Sequence, residues 1–270
     1  MTKQYGFSLV ELVTVIVILG IIGASLTVFF VPAMQAYRNT QNRADLSSMA
    51  DVALRRVAQD VRMAVPNSLR VVTPQCFQLV PVTAGGRYRL AVDTTLADTR
   101  PIDGFNRVTS FDVLSPLQPA PQRNDWVVIS NLTGDDVYLG RSRYQLDAAP
   151  AALPANAGTW RFNVNPPVEL LGGRGGGRFM IVSNNEQTVI YSCQDGFLRR
   201  NIAQFGADQN AICAAPAGDI VASDVADCQF TYDEIVGATQ QNAFMSMRLQ
   251  LERDGEQLEF LHGAHVVNAS

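Results

Sequence analysis

The chain has 270 residues, 47% of them hydrophobic and 17% charged, with a formal net charge of −4 and a pI of about 5.2. This is enough chain for one sizeable core plus a long extra element. Nothing in this balance suggests nucleic-acid binding, which calls for a basic face.

These averages conceal an asymmetry. Residues 12–37 carry no charge, and about 20 apolar residues suffice to cross a bilayer, so the N-terminus reads as a membrane segment and the rest as soluble. The run is too long for a secretory signal peptide, whose apolar stretch of roughly 7–15 residues precedes its cleavage site. Here the small residues Gly23-Ala24-Ser25 lie inside the run. A plain signal anchor fits the length but leaves Glu11 unexplained. A carboxylate in a transmembrane helix costs on the order of 2.5–3.5 kcal/mol and is functional by default. The cations upstream are Lys3 and the chain's own amino group. Removal of residues 1–6 creates an amine on Phe7 at the membrane surface. Glu11 of one subunit can then pair with the Phe7 amine of another, which sets a stagger between packed helices.

Gly6-Phe7-Ser8-Leu9-Val10-Glu11, followed by a long apolar helix containing Gly20, resembles the class III leader of type IV pilins and type II secretion pseudopilins. The resemblance implies that residues 1–6 are a leader, that a prepilin peptidase cuts between Gly6 and Phe7, that Phe7 is then N-methylated, and that Glu11 acts in assembly. One departure stands out. Many major pilins carry a helix-bending proline where this chain has Val28, and here the proline is Pro32. A helix-interior proline frees the carbonyl four residues back, here that of Val28, and bends or loosens the helix.

From Arg38 to Val65 the pattern turns amphipathic. Leu46, Ala50, Ala53, Val57, Val61 and Ala64 follow the spacing of one helical face, with the charges elsewhere. Pro66 ends the run. A helix over residues 7–65, with 7–31 in the membrane, is roughly 85–90 Å long.

Residues 66–270 read as a β-rich head, which makes the fold class α+β: a long helix packed on antiparallel sheet. Cys76–Val82 predicts a strand, Ala84-Gly85-Gly86 a turn and Arg87–Val92 the returning strand. Further strands are expected near residues 108–114, 126–131, 159–164, 179–183, 188–193 and 228–232. The clearest is Met245–Leu251, which alternates apolar and polar residues before Asp254-Gly255, a hairpin signal, and the return through Leu258 and Phe260. Residues 115–124, 148–158 and 172–177 predict loops.

The four cysteines, Cys76, Cys193, Cys213 and Cys228, form no CxxC pair, so neither zinc nor thioredoxin-like chemistry is expected. An even count in an exported domain favours two disulfides over free thiols. Three connectivities exist. The short closure favours Cys213–Cys228, with Cys76–Cys193 by elimination; a loop of about 15 residues is worth roughly 3 kcal/mol in the chain-entropy model.

Other motifs carry bland readings. The glycine-rich run from Gly172 to Arg178 lacks the Lys-Ser/Thr of a phosphate loop and reads as a flexible loop. His262 and His265, three apart in a strand, face opposite sides and share no metal. Asp135-Asp136 reads as a solvated turn before a calcium site, and Trp126 and Trp160 as core. With both histidines at the C-terminus no catalytic constellation forms, so neither an enzyme nor a cofactor is expected.

A bulky head is harder to fit in a filament shaft than at an end, which favours a low-copy subunit. Several head segments sharpen this: Gly85-Gly86-Arg87-Tyr88-Arg89, Asn124-Asp125-Trp126-Val127-Val128-Ile129, Asp227-Cys228-Gln229-Phe230-Thr231-Tyr232-Asp233 and Leu261-His262-Gly263-Ala264-His265-Val266-Val267-Asn268. They resemble the minor pilins of the mannose-sensitive haemagglutinin (MSHA) pilus system, of the MshO type. The J-type pseudopilins of type II secretion share the plan, and a tip adhesin is a third reading. The resemblance implies a single-pass inner-membrane precursor with a periplasmic head. It implies as partners the prepilin peptidase, the other minor pilins, the major pilin, the assembly platform and membrane lipid, with a place in priming or near the tip. Tip-most K-type pseudopilins typically lack the glutamate, so Glu11 argues against the terminal position itself.

Overall fold

The computed structural model describes residues 6, 8–170, 175–215, 217–234 and 242–268. Helix α1 (Leu9–Arg62) dominates it. Ser8 is its N-cap: extended backbone lets its Oγ accept from the Glu11 N–H at 3.3 Å. At the other end the Met63 N–H donates to the Gln59 carbonyl at 3.0 Å, and Pro66 lies just beyond. The expected stripe is the buried one. Leu46, Ala50, Ala53, Val57 and Val61 are all at most 1% exposed, joined by Leu54 and Ala58. Alanines at 50, 53 and 58 let the helix lie close to the sheet beneath it.

The strands follow in chain order: β1 (Arg70–Thr73), β2 (Cys76–Leu79), β3 (Ala84–Arg87), β4 (Val108–Val113), β5 (Trp126–Val128), β6 (Arg143–Leu146), β7 (Ala151–Ala152), β8 (Trp160–Val168), β9 (Arg178–Val182), β10 (Thr188–Gln194), β11 (Phe197–Ala203), β12 (Asp219–Ala222), β13 (Val225–Glu234), β14 (Asn242–Arg253) and β15 (Glu256–Val267). Two short helices interrupt them, α2 (Asp136–Leu139) and α3 (Gln209–Ala214). Three antiparallel sheets result: β1-β2-β10-β11-β12, then β13-β14-β15, and β3-β9-β5-β6-β8-β4 with β7 alongside β8.

The long β14–β15 hairpin forms as its sequence predicts. Asp254 and Gly255 have φ of 53° and 80°, the two positive values of a type I′ turn. The register then runs unbroken from Arg253↔Glu256 to Asn242↔Val267. Met245, Met247, Leu249 and Leu251 face inward, at most 2% exposed. They meet α1 in the larger core, where Phe77 stacks on Tyr191 at 5.2 Å and meets Phe230 edge-on at 4.7 Å. A second core, around Phe111, Phe162 and Phe179, fills the third sheet. Five valines, Val65, Val80, Val128, Val137 and Val182, form a smaller cluster joined to neither.

The expected hairpin around Ala84-Gly85-Gly86 does not exist. Those residues are strand β3, paired with β9 through Gly85↔Met180 and Gly86↔Phe179, while β2 pairs with β1 and β10. The returning stretch contributes only Arg87 to a strand, and Tyr88 makes a single bridge to Val113. The glycines permit close approach instead of a turn: a Cβ on Gly86 would lie 2.8 Å from the Ser115 Cβ and 3.2 Å from the Phe179 ring. Gly86→Ala is therefore expected to cost about 1–3 kcal/mol through overpacking, read as a lower midpoint in denaturant unfolding with an unchanged slope. The tryptophans are half-buried at the edges of the cores, Trp160 against the second core and Trp126 against the valine cluster. Trp126 sits at a rim against Phe205 (5.5 Å) with the Arg143 guanidinium 5.1 Å from its ring.

Candidate functional site

The first half of α1 stands apart from the head. Every residue from Ser8 to Gln41 is exposed, with Leu9 at 79%, Val28 at 70% and Phe29 at 76%. The charge-free part is long enough to cross a membrane, since Leu12 to Tyr37 spans about 38 Å against a hydrocarbon core of about 30 Å. Its hydroxyls are satisfied within the helix. Thr14 Oγ1 donates to the Val10 carbonyl (2.8 Å), Ser25 Oγ to Ile21 (2.8 Å) and Thr27 Oγ1 to Gly23 (2.8 Å). Such internal bonds remove the cost of a lone donor in hydrocarbon. Pro32 lies within the continuous helix; having no N–H, it leaves the Val28 carbonyl without its usual partner.

Glu11 occupies the first turn, where the helix dipole favours a negative charge. Its carboxylate has no ion-pair or hydrogen-bond partner among the described residues. Gly6 is exposed, and a Cβ there would meet nothing within 4 Å. Phe7, the expected site of cleavage and methylation, lies outside the described residues.

The second half of α1 is clamped to the head by polar contacts flanking the apolar stripe. Asn42 Nδ2 donates to Asp254 Oδ2 at 3.2 Å, and Arg43 pairs with Glu256. Further along, Asp60 Oδ2 accepts from the Tyr191 hydroxyl (2.8 Å) and from Arg200 Nε (2.7 Å), while Arg200 also pairs with Glu186. Burial works against the Arg200 charge, but the hydrogen bonds to Asp60 and Glu186 outweigh it and raise the guanidinium above its ordinary value. Burial, with Asp60 beside it, pushes the Tyr191 hydroxyl up. The sequence reading missed this anchor. Its one local signal was Asp60, a charge bordering the stripe between Val57 and Val61.

Near the hairpin tip, Arg253 donates to Asp224 Oδ2 at 2.7 Å and holds that carboxyl below its ordinary 3.8, aided by Ser223. A depressed folded-state pKa stabilises fully above the unfolded value and is lost as pH falls through the folded one. Acid unfolding followed by circular dichroism between about pH 5 and 2 should therefore become less steep in Asp224→Asn.

Two disulfides are present, but not with the expected pairing. Cys76 bonds Cys213 and Cys193 bonds Cys228, with Cα–Cα distances of 5.9 and 6.3 Å. Tertiary placement overrides short closure. Helix α3 packs against β10 and β1 and delivers Cys213 to Cys76 on β2, while β13 brings Cys228 to Cys193 near the end of β10. The second bond thus ties the five-stranded sheet to the β13-β14-β15 sheet.

The remaining candidates are not brought together. His262 and His265 both lie on β15, whose alternation sends them to opposite faces, and His265 meets the Phe244 ring at 5.2 Å. Asp135 and Asp136 form the start of α2 instead of a free turn. Asp135 pairs with Arg70 (3.2 Å), and Asp136 accepts from the Thr133 N–H (3.0 Å). Gly172, Gly173 and Arg174 lie outside the described residues, and Gly175–Gly177 form a short turn before β9 with Gly176 and Gly177 at positive φ (61° and 72°). No group of three or more His, Cys, Asp or Glu side chains suited to a metal occurs among the described residues.

Residues 1–27 match the model of the prokaryotic N-terminal methylation motif. No curated protein and no solved structure matches the chain. A prepilin-type motif heading a long apolar helix, followed by an antiparallel head with two disulfides, fits a type IV pilin-like protein. The motif implies processing by prepilin peptidase, membrane anchoring, and assembly with other pilins or pseudopilins. Pilin-type proteins are structural in role.

Proposed function

We propose that the chain is a minor pilin of a type IV pilus, of the MSHA type, acting in priming or near the tip. The observation that carries this reading is the exposed apolar half of α1, headed by the methylation motif and rigidly continued into a large head. On this reading residues 1–6 are the leader, residues 7–65 the assembly helix and residues 66–270 the periplasmic head. Cleavage after Gly6 frees the Phe7 amine, methylation follows, and Glu11 pairs with the Phe7 amine of a neighbouring subunit. The apolar face then passes from lipid to the packed helices of a filament. Other minor pilins, the major pilin and the inner-membrane platform are the partners.

The motif is equally compatible with a J-type pseudopilin. Deleting the coding sequence separates the two. Loss of surface filaments with normal exoprotein release supports the pilin; loss of exoprotein release with normal filaments overturns it. Removing the 115–124 loop tests the adhesin reading: lost attachment with a normal filament number would assign surface binding to the head.

A further inference from the structure

The two disulfides interleave along the chain. Numbered by order, the first cysteine bonds the third and the second bonds the fourth, with separations of 137 and 35 residues. Neither bond joins neighbours in sequence, and both local alternatives compete. A chain delivered N-terminus first presents Cys76 and Cys193 before Cys213 and Cys228. Loop closure also favours the wrong product: closing about 15 residues between Cys213 and Cys228 is roughly 3–4-fold easier than closing the native 35-residue loop.

Once the consecutive bonds have formed, the chain is trapped. Disulfides rearrange only by attack of a thiolate on a disulfide sulfur. The chain holds four cysteines, so with two wrong bonds none is left as a thiolate. We infer that the head reaches its native pairing through a thiol–disulfide isomerase, a dithiol partner of the exported compartment kept in its reduced form. This rests on the exported-head reading above.

The exchange balances without net oxidation. The isomerase thiolate attacks Cys228 Sγ of a Cys213–Cys228 bond, forming a mixed disulfide and releasing the Cys213 thiolate. That thiolate attacks Cys76 Sγ of the Cys76–Cys193 bond, forming Cys76–Cys213 and releasing the Cys193 thiolate. Cys193 then attacks Cys228 Sγ in the mixed disulfide and expels the isomerase thiolate unchanged. Two protein disulfides enter and two leave.

The finished fold accepts the native bonds and excludes the consecutive one that the middle step breaks. Cys76 and Cys193 lie on paired strands, with Ser192 opposite Cys76 and the Cys193 N–H donating to the Gln75 carbonyl at 3.0 Å. Strand alternation therefore turns the two to opposite faces, Cys76 beside Cys213 and Cys193 beside Cys228, so a Cys76–Cys193 bond has no place in the finished sheet. In the finished head Cys76 and Cys228 are each 2% exposed. One sulfur of each native bond is therefore shielded from attack, while Cys193 and Cys213 stay partly exposed.

The test is disulfide mapping of the full-length chain from cells with and without their exported-compartment disulfide isomerase, after thiol blocking and non-reducing digestion. Without the isomerase, Cys213–Cys228 peptides should exceed Cys193–Cys228 peptides by at least the roughly 3–4-fold that loop closure favours. The Cys76→Ser/Cys213→Ser double variant can form only the Cys193–Cys228 bond, and its bond formation should not depend on the isomerase. A second arm reoxidises reduced, unfolded full-length chain in detergent, with and without glutathione as the free thiol. Consecutive bonds should form without glutathione and convert to native ones with it. Native pairing without the isomerase, or without glutathione, overturns the inference alone. Four free thiols in cells, with conversion intact in detergent, overturn it together with the exported-head reading.

Discussion

Glu11→Ala or Glu11→Val is expected to cut filament number about tenfold or more, while the precursor stays membrane-inserted and stable. The two effects have opposite signs at the two stages. In the bilayer, removing a carboxylate relieves a cost on the order of 2.5–3.5 kcal/mol, so insertion does not suffer. In the filament, the proposed pairing of Glu11 with a neighbour's Phe7 amine is a charge-assisted contact worth about 1.5–3 kcal/mol, and each 1.4 kcal/mol is a factor of ten in an equilibrium. Nothing within the described head compensates, because α1 is exposed from Ser8 to Gln41. Filament counts by electron microscopy, beside an immunoblot of the membrane fraction, measure both stages. Normal piliation in the Glu11 variants would end the pairing argument, and loss of the precursor would show that the change acts on stability instead.

The second large effect concerns the head. Replacing Cys193 and Cys228 together by serine is expected to destabilise it by about 2–5 kcal/mol. At roughly 2–4 °C per kcal/mol for a domain of this size, the melting midpoint falls by about 4–20 °C. The bond joins β10 to β13 beside the Phe77–Tyr191–Phe230 aromatic cluster, so its loss frees one sheet relative to another beneath α1. Calorimetry of the purified protein reads the change directly. An unchanged midpoint would mean that packing of α1 on β14 and β15 alone holds the two sheets in place.

Much of the assembly helix was legible because its signals are local. The unbroken apolar run and the spacing of Leu46, Ala50, Ala53, Val57 and Val61, the period of one face, both lie within the segment itself. The β14–β15 hairpin was legible for the same reason, through Asp254-Gly255 and strict alternation. What failed depended on distant partners. Gly85-Gly86 reads equally as a turn or as room for a neighbour, and only Phe179 and Ser115 decide which. Strand β11 places Arg199 and Arg200 side by side, so it shows no two-residue period, yet Arg200 is the residue that reaches Asp60 on α1. The cysteine pairing was misread because closure entropy describes the unfolded chain, whereas the finished bonds follow the placement of α3 and β13.

The most direct test of the central claim is mass spectrometry of the mature N-terminus, from protein purified out of membranes or filaments. The account predicts a chain that begins at Phe7 with a methylated amine, the amine that Glu11 is proposed to meet. An intact Met1, or a chain beginning near residue 25, would contradict it.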